Sequence, residues 1–202
     1  MNAALKICGI NSPYFANAAA EAGVDYLGLI FVPGSPRAVT VEEAVWIRRS
    51  VLRKNVRFVG VFVNETEEVI RRIAEQLKLD VIQLHGSESA ALADSLRKDY
   101  EVWKAVSETF EPDYPADAFL ADSSRPGSGN RADGELVRRI RQTGKRWILA
   151  GGISEENLSE ALRSGADILD VNSSLENFPG RKNILKLNQF MNKYHQYQGD
   201  RK

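Results

Sequence analysis

The stretch AGVDYLG, residues 22–28, decides the fold, because a glycine that ends a helix is followed there directly by an apolar strand. The stretch SGADILD, residues 164–170, repeats the same order near the other end of the chain. A helix stop that leads straight into a strand is typical of chains in which helices and strands alternate. We therefore expect a repeating strand–helix unit.

Short apolar runs rich in β-branched residues recur along the whole chain, and helical patterns separate them. The runs cover residues 5–8, 26–31, 57–62, 81–84, 102–106, 119–121, 147–150 and 168–171. Eight such units favour a parallel sheet that closes on itself and so has no edge. An open sheet with helices on both faces is the alternative, but it usually carries larger insertions. We predict one α/β domain over residues 1–202, a (β/α)8 TIM barrel.

Two segments depart from the regular pattern. Residues 107–117 contain two prolines, so the fifth helix is predicted to be short or missing. The polar tail from about Asn192 is predicted to fray. Between them, Ser154 is predicted to begin a helix that Gly165 ends.

The composition argues against several classes of protein. The 27 Lys and Arg residues balance 27 Asp and Glu residues, so no net field favours nucleic acid or an anionic membrane. No apolar run approaches the roughly 20 residues that span a bilayer. The single cysteine cannot form an internal disulfide and the start of the chain lacks a signal-peptide pattern, so we expect a cytoplasmic protein. The expected partner is a small-molecule substrate, and monomer and homodimer both stay open.

Small residues follow the last two predicted strands. In barrels of this kind, the site is formed by the carboxyl ends of the strands and the loops after them. Backbone N–H groups in such loops can converge on a phosphate, although the same residues also serve simple tight turns. The predicted phosphate-binding residues are Gly151, Gly152, Asn172, Ser173 and Ser174.

Two side chains at strand ends are candidates for proton transfer. Cys8 ends the first strand, and a thiolate can remove a proton from carbon if a nearby cation lowers its pKa. Lys6 points to the same side of that strand. A lone cysteine can equally be a small buried hydrophobe. Asp122 ends the sixth strand and is a candidate general acid if burial raises its pKa, or else a turn residue.

Further polar residues lie at the same end of the predicted barrel. The planar fork of Arg37 suits a substrate carboxylate, although arginine is also common on surfaces. Gln83 and His85 follow the fourth strand and are predicted to contact substrate. Asp170, in the eighth strand, is a candidate for substrate contact or for a structural hydrogen bond. Of the two histidines, only His85 lies inside the predicted folded pattern, because His195 is in the tail. One histidine cannot build a multi-histidine metal site, so we expect no metal.

These segments together resemble the phosphoribosylanthranilate isomerase family of tryptophan biosynthesis. The resemblance runs along the chain and rests on several ordered motifs. They are residues 6–10 (KICGI), residues 31–37 with Ser-Pro-Arg, residues 59–64 (VGVFVN), residues 83–86 (QLHG), the Asp122 strand with its Gly-Ser-Gly loop, residues 151–153 (GGI) and residues 170–176 (DVNSSLE).

The resemblance implies an Amadori rearrangement of N-(5'-phosphoribosyl)anthranilate, without cofactor or metal. It implies that Cys8 is the general base and Asp122 the general acid. It also implies that Arg37 faces the anthranilate carboxylate and that Asp170 lies near the sugar hydroxyls or the amine.

The chain departs from the family pattern in its loops. The family commonly has DVSSGVE after the eighth strand, so Ser174 stands where glycine is usual. The loop after Asp122 is also shorter than usual. A different phosphosugar isomerase or epimerase is an alternative, but it would need a metal or paired carboxylates where this chain has Cys8. A catalytically silent barrel that serves as a binding module is the other alternative, and the presence of Cys8 and Asp122 argues against it.

Overall fold

Eight parallel strands form a closed barrel in a computed structural model that describes residues 3–106, 110–122 and 134–199. Each strand pairs with the next in chain order, and the last pairs with the first. The eight-stranded barrel predicted from the sequence is confirmed. The strands are β1 (Ala4–Ile7), β2 (Tyr26–Ile30), β3 (Arg57–Phe62), β4 (Val81–Leu84), β5 (Glu101–Val106), β6 (Ala118–Asp122), β7 (Arg146–Ala150) and β8 (Ile168–Val171).

Helices cover the outside of the barrel, and local sequence signals set several of their ends. Thr40 and Glu43 form a capping box at the start of the second helix, and Ser12 accepts a hydrogen bond from the Phe15 N–H at the start of the first. Residues 110–117, between β5 and β6, form turns and no helix, in agreement with the prediction that the helix after the fifth strand is short or missing. The helices are α1 (Pro13–Glu21), α2 (Val41–Ser50), α3 (Glu67–Leu77), α4 (Ala90–Leu96), α5 (Gly134–Gln142), α6 (Leu158–Arg163) and α7 (Ile184–Gly199).

The core has two layers because side chains alternate along each strand. One layer packs between strands and helices, and Leu5, Ile7 and Leu169 belong to it. The other fills the inside of the barrel, where Trp103 is fully buried and meets the Tyr26 ring edge-on at 5.0 Å. Lys6 and Cys8 alternate with Leu5 and Ile7, so they face the inside. This alternation places Lys6 and Cys8 inside the barrel, near the carboxyl ends of the strands.

Two details differ from the sequence predictions, and one element, a hairpin, had no prediction. The helix after β7 begins at Leu158 and not at Ser154, because residues 155–157 form a turn first. The tail does not fray at Asn192, since α7 continues to Gly199 and buries Tyr194, whose hydroxyl donates to the Ala3 carbonyl at 2.7 Å. A hairpin of β9 (Glu176–Phe178) and β10 (Arg181–Lys182) follows a 3₁₀ turn at Ser173–Leu175.

Among the described residues, no helix is long and apolar enough to cross a membrane.

Candidate active site

The centre of the candidate site is a buried group of three side chains on β1 and β8. Lys6 lies directly opposite Asp170 in the register of these two strands. Its ammonium donates to Asp170 Oδ2 at 2.7 Å and also interacts with the Cys8 thiol. Cys8 follows the last residue of β1, where its N–H donates to the Val171 carbonyl at 2.9 Å. The predicted base therefore lies beside a cation at the carboxyl end of the barrel.

Burial and charge act against each other in this group. Burial lowers the pKa of Lys6, but the charge of Asp170 and the hydrogen bonds to Asp170 and Cys8 outweigh it, so the pKa is raised and the ammonium stays charged. Burial raises the pKa of the Cys8 thiol, and the neighbouring Lys6 charge offsets this only in part. In the free protein, Cys8 is therefore a thiol held next to a cation.

A second charged group lies beside the first. It includes Glu176 and Lys182, for which the sequence predicted no role. Arg37 donates to Glu176 through Nε at 2.9 Å and through Nη2 at 2.7 Å. Glu176 also accepts from Lys182 Nζ at 3.0 Å, and Lys182 donates to the carbonyl and Oδ1 of Asn172. The fork of Arg37 thus binds a protein carboxylate, which fixes the orientation of the guanidinium.

Burial shifts the pKa values of both Glu176 and Lys182. Burial would raise the pKa of Glu176, but the hydrogen bond from Arg37 and the charge of Lys182 hold that pKa below its ordinary value. Burial lowers the pKa of Lys182, although Glu176 and Cys8 oppose the shift. The side chain of Asn172 turns toward Lys182, so its Oδ1 is already engaged within the protein.

Two glycines allow close contacts around Arg37, one in the β9–β10 hairpin and one in the turn after Cys8. Gly180 has a φ of +79°, and a Cβ there would lie 2.1 Å from the Pro36 carbonyl oxygen. Its own carbonyl accepts from Asn11 Nδ2 at 2.7 Å. Gly9 has a φ of +70°, and a Cβ on it would lie 2.8 Å from Cδ of Arg37. Because Gly9 has no side chain, Arg37 can lie directly against the turn that follows Cys8.

The predicted phosphate-binding residues lie on neighbouring loops, because β7 pairs with β8. Gly151 and Gly152 have φ values of 84° and 64°, which glycine adopts readily. The Asn157 amide ties this loop, since it donates to the Gly152 carbonyl at 2.9 Å and accepts from the Ser154 N–H at 2.8 Å. On the other loop Ser173 is exposed. The buried hydroxyl of Ser174 has no hydrogen-bond partner among the described residues.

Gln83 and His85 lie on the far side of the barrel mouth. Gln83 is buried at the end of β4, and its Nε2 lies 2.9 Å from Nδ1 of His85. Gln83 Oε1 is buried without a partner in the described part of the chain. His85 itself is exposed. Both residues therefore lie at the end of the barrel where the sequence predicted them.

Asp122 is the last residue of β6, where it pairs with Ala150 of β7. This places its backbone at the carboxyl end of the barrel, as the sequence predicted. Its side chain and the Gly-Ser-Gly loop at residues 127–129 lie outside the part of the structure that is described. The proposed acid is therefore located by its strand alone.

The comparison with protein families agrees with this arrangement. The family model of N-(5'-phosphoribosyl)anthranilate isomerase matches residues 5–193, which is most of the chain. The chain belongs to the phosphoribosylanthranilate isomerase family. An N-(5'-phosphoribosyl)anthranilate isomerase of Neisseria meningitidis serogroup B is 39% identical over 201 residues, covering 92% of this chain and 93% of that protein.

Solved structures of phosphoribosylanthranilate isomerases show the same fold. The enzyme from Thermus thermophilus has a TM-score of 0.86 at 37% identity, and the match covers 96% of this chain and 99% of that one. A second isomerase structure, in complex with reduced 1-(o-carboxyphenylamino)-1-deoxyribulose 5-phosphate, has a TM-score of 0.82 at 31% identity, with 96% and 99% covered. The family resemblance seen in the motifs thus extends to the whole barrel.

Proposed function

We propose that the protein catalyses the Amadori rearrangement of N-(5'-phosphoribosyl)anthranilate to 1-(o-carboxyphenylamino)-1-deoxyribulose 5-phosphate, a step of tryptophan biosynthesis. The observation that carries the proposal is the position of Cys8, at the carboxyl end of β1 beside the buried Lys6 cation, in a barrel of this family. Its strand also places Asp122 at the same end of the barrel.

The reaction begins with two proton transfers in order, and the final tautomerisation moves a proton onto C1' and removes the one on the C2' oxygen. Asp122 protonates the ring oxygen of the ribose, and the C1'–O bond breaks to give a Schiff base with the anthranilate nitrogen. Cys8 then removes the proton from C2', and the electron pair moves to form an enolamine, which tautomerises to the ketone. Each transfer by a positioned group accelerates the reaction by roughly 10²–10⁴-fold. All electrons stay within the substrate.

Charged and small residues at the barrel mouth supply the two ends of the binding site. Arg37 uses Nε and Nη2 for Glu176, so Nη1 is the nitrogen that we assign to the anthranilate carboxylate. At the other end, backbone N–H groups of Gly152 and Ser173 and the hydroxyl of Ser174 bind the phosphate. Asp170 Oδ1, which has no partner among the described residues, accepts a hydrogen bond from the sugar or the amine.

The loss of anthranilate fluorescence tests the reaction when freshly made phosphoribosylanthranilate is mixed with the protein. We expect rapid loss with the unchanged protein, no acceleration with Cys8→Ala and a rate lower by several decades with Asp122→Asn. Lys104→Met serves as the control, because Lys104 lies on β5 and binds Glu88. No loss with the unchanged protein would refute the reaction. Full activity of Cys8→Ala would refute only the assignment of the base.

We also propose that the protein works in the cytoplasm as a monomer or a homodimer. The single cysteine supports a reducing compartment, and the zero net charge supports a small molecule rather than nucleic acid or a membrane surface as the partner. Light scattering during gel filtration distinguishes the two assemblies, because one chain has a mass of 22.5 kDa. A larger assembly would contradict the proposal.

A further inference from the structure

Lys6 is fully buried inside the barrel, which is unusual for a lysine. A buried ammonium is costly unless it is paired, and this one has two neighbours, Asp170 and Cys8. Gly28 of β2 packs against both Lys6 and Cys8, because a Cβ there would lie 3.2 Å from Cε of Lys6 and 3.0 Å from Sγ of Cys8. The absence of a side chain at Gly28 therefore lets the lysine and the thiol lie side by side against β2.

Asp170 binds Lys6 through one oxygen only. Oδ2 accepts from Lys6 at 2.7 Å, whereas the buried Oδ1 has no partner among the described residues. A buried acceptor without a partner is costly, and its presence in a site points to a donor on the ligand. Asp170 is thus placed to hold Lys6 and the substrate at the same time.

Four charged side chains act on Cys8 from the elements around it. Lys6 contacts it on β1, Asp170 faces it from β8, Lys182 approaches from β10, and Arg37 from the loop after β2. Lys182 and Arg37 are both bound to Glu176, which offsets much of their charge. Among these four groups, Lys6 is the cation in direct contact with the sulfur.

We propose that Lys6 is a positioning residue that keeps a positive charge against Cys8 and stabilises the thiolate in the substrate complex. This inference rests on the proposed function, in which Cys8 is the base. When a substrate N–H or O–H donates to Asp170 Oδ1, the carboxylate attracts Lys6 less strongly. The ammonium then acts more fully on the sulfur, so substrate binding itself favours the reactive form.

Carbon NMR of protein labelled at the cysteine Cβ tests the inference without any turnover. The chain has one cysteine, so one resonance reports the ionisation of Cys8 as the pH is varied. We expect the thiol pKa of Lys6→Met to exceed that of the unchanged protein by about 1 to 3 pH units, because a contacting cation is removed. Lys104→Met, which removes a lysine from another buried pair, should leave the thiol pKa unchanged.

Lys6→Met leaves the Asp170 carboxylate without its cation, so a second variant guards against loss of the fold. Lys6→Met/Asp170→Asn removes both charges, and its thiol pKa should lie between those of the unchanged protein and the single variant. Reduced 1-(o-carboxyphenylamino)-1-deoxyribulose 5-phosphate, an analogue of the product, should lower the thiol pKa of the unchanged protein when it binds. It should have no such effect on the double variant.

Several results would overturn the inference. They are a thiol pKa in the Lys6 variants no higher than in the unchanged protein, an equal rise in Lys104→Met, and an analogue that leaves the thiol pKa of the unchanged protein where it was. The rise in the Lys6 variants can be seen even if the protein fails to convert phosphoribosylanthranilate. A failure of the proposed function is therefore distinguishable from a failure of this inference.

Discussion

Two of the buried lysine–carboxylate pairs in the described part of the barrel, Lys104–Glu88 and Lys6–Asp170, differ in how completely their carboxylate oxygens are hydrogen-bonded. Glu88 accepts hydrogen bonds from the N–H groups of Asn64 and Gly86 and from Lys104 Nζ at 2.9 Å. Asp170 accepts one bond from Lys6, and its other oxygen has no partner among the described residues. The first pair is complete within the protein, whereas the second leaves an acceptor for a ligand.

The difference teaches that similar chemistry can serve the fold in one place and the reaction in another. The Glu88 pair joins the ends of β3, β4 and β5, since Asn64, Gly86 and Lys104 follow or belong to these strands. The Lys6 pair joins β1 to β8 and touches the one cysteine. We therefore expect changes to the first pair to affect stability, and changes to the second to affect catalysis.

The largest effect on stability is expected from Glu88→Gln. The variant leaves Lys104 without a carboxylate in a buried place, and breaking such a pair costs about 3–5 kcal/mol. Urea unfolding measures the loss, and the turnover rate at a temperature where the variant is folded should stay within a few-fold of the unchanged protein. A variant with normal stability and lost activity would reverse the roles that we assign to the two pairs.

A smaller effect, and one on activity, is expected from Arg37→Lys. Lysine cannot bind Glu176 through two parallel bonds while offering a further N–H to the substrate, so the carboxylate of the substrate is held less well. The loss of a charge-assisted hydrogen bond is worth about 1.5–3 kcal/mol, or roughly 10–100-fold. Steady-state kinetics should show it mainly in KM. A fall in kcat at unchanged KM would argue that Arg37 acts on the chemical step.

The smallest expected effect is on how the unfolding free energy depends on pH in acidic solution. Burial would raise the pKa of Glu88, but the bonds from Lys104 and from the Asn64 N–H outweigh it and lower that pKa below its ordinary value of 4.5. Such a carboxyl contributes its stability in full above the unfolded pKa and loses it as the pH falls through the folded one. Between about pH 6 and pH 3, the unfolding free energy of Glu88→Gln should therefore fall less steeply than that of the unchanged protein. Equal slopes would contradict the assignment.

The sequence predicts the barrel well because each strand carries its own local signal. Residues 57–62 and 81–84 are short, apolar and β-branched, and the structure begins and ends β3 and β4 at the same residues. The fraying predicted from Asn192 does not occur, because Tyr194 continues the helical spacing of Leu187, Phe190 and Met191, and all four side chains are buried.

The partners within the site were harder to foresee. Arg37 and Glu176 are 139 residues apart, and no local pattern links them. Pro179-Gly180 is a turn signal that could have indicated the β9–β10 hairpin, and with it the buried Lys182. The alternation of side chains along β1 predicts that Lys6 and Cys8 share a face, but the pairing of Lys6 with Asp170 follows from the closure of β8 onto β1. Only the assembled barrel shows which charges meet.

The most direct test of the account follows the C2' carbon of the substrate. Phosphoribosylanthranilate labelled with carbon-13 at C2' should show its alcohol resonance replaced by a ketone resonance when the unchanged protein is added. Lys104→Met, assayed where it is folded, should give the ketone at a similar rate, and Cys8→Ala should leave the alcohol carbon unconverted beyond the background. Formation of the ketone by Cys8→Ala at the full rate, or its absence with the unchanged protein, would contradict the claim that Cys8 at the end of β1 isomerises this substrate.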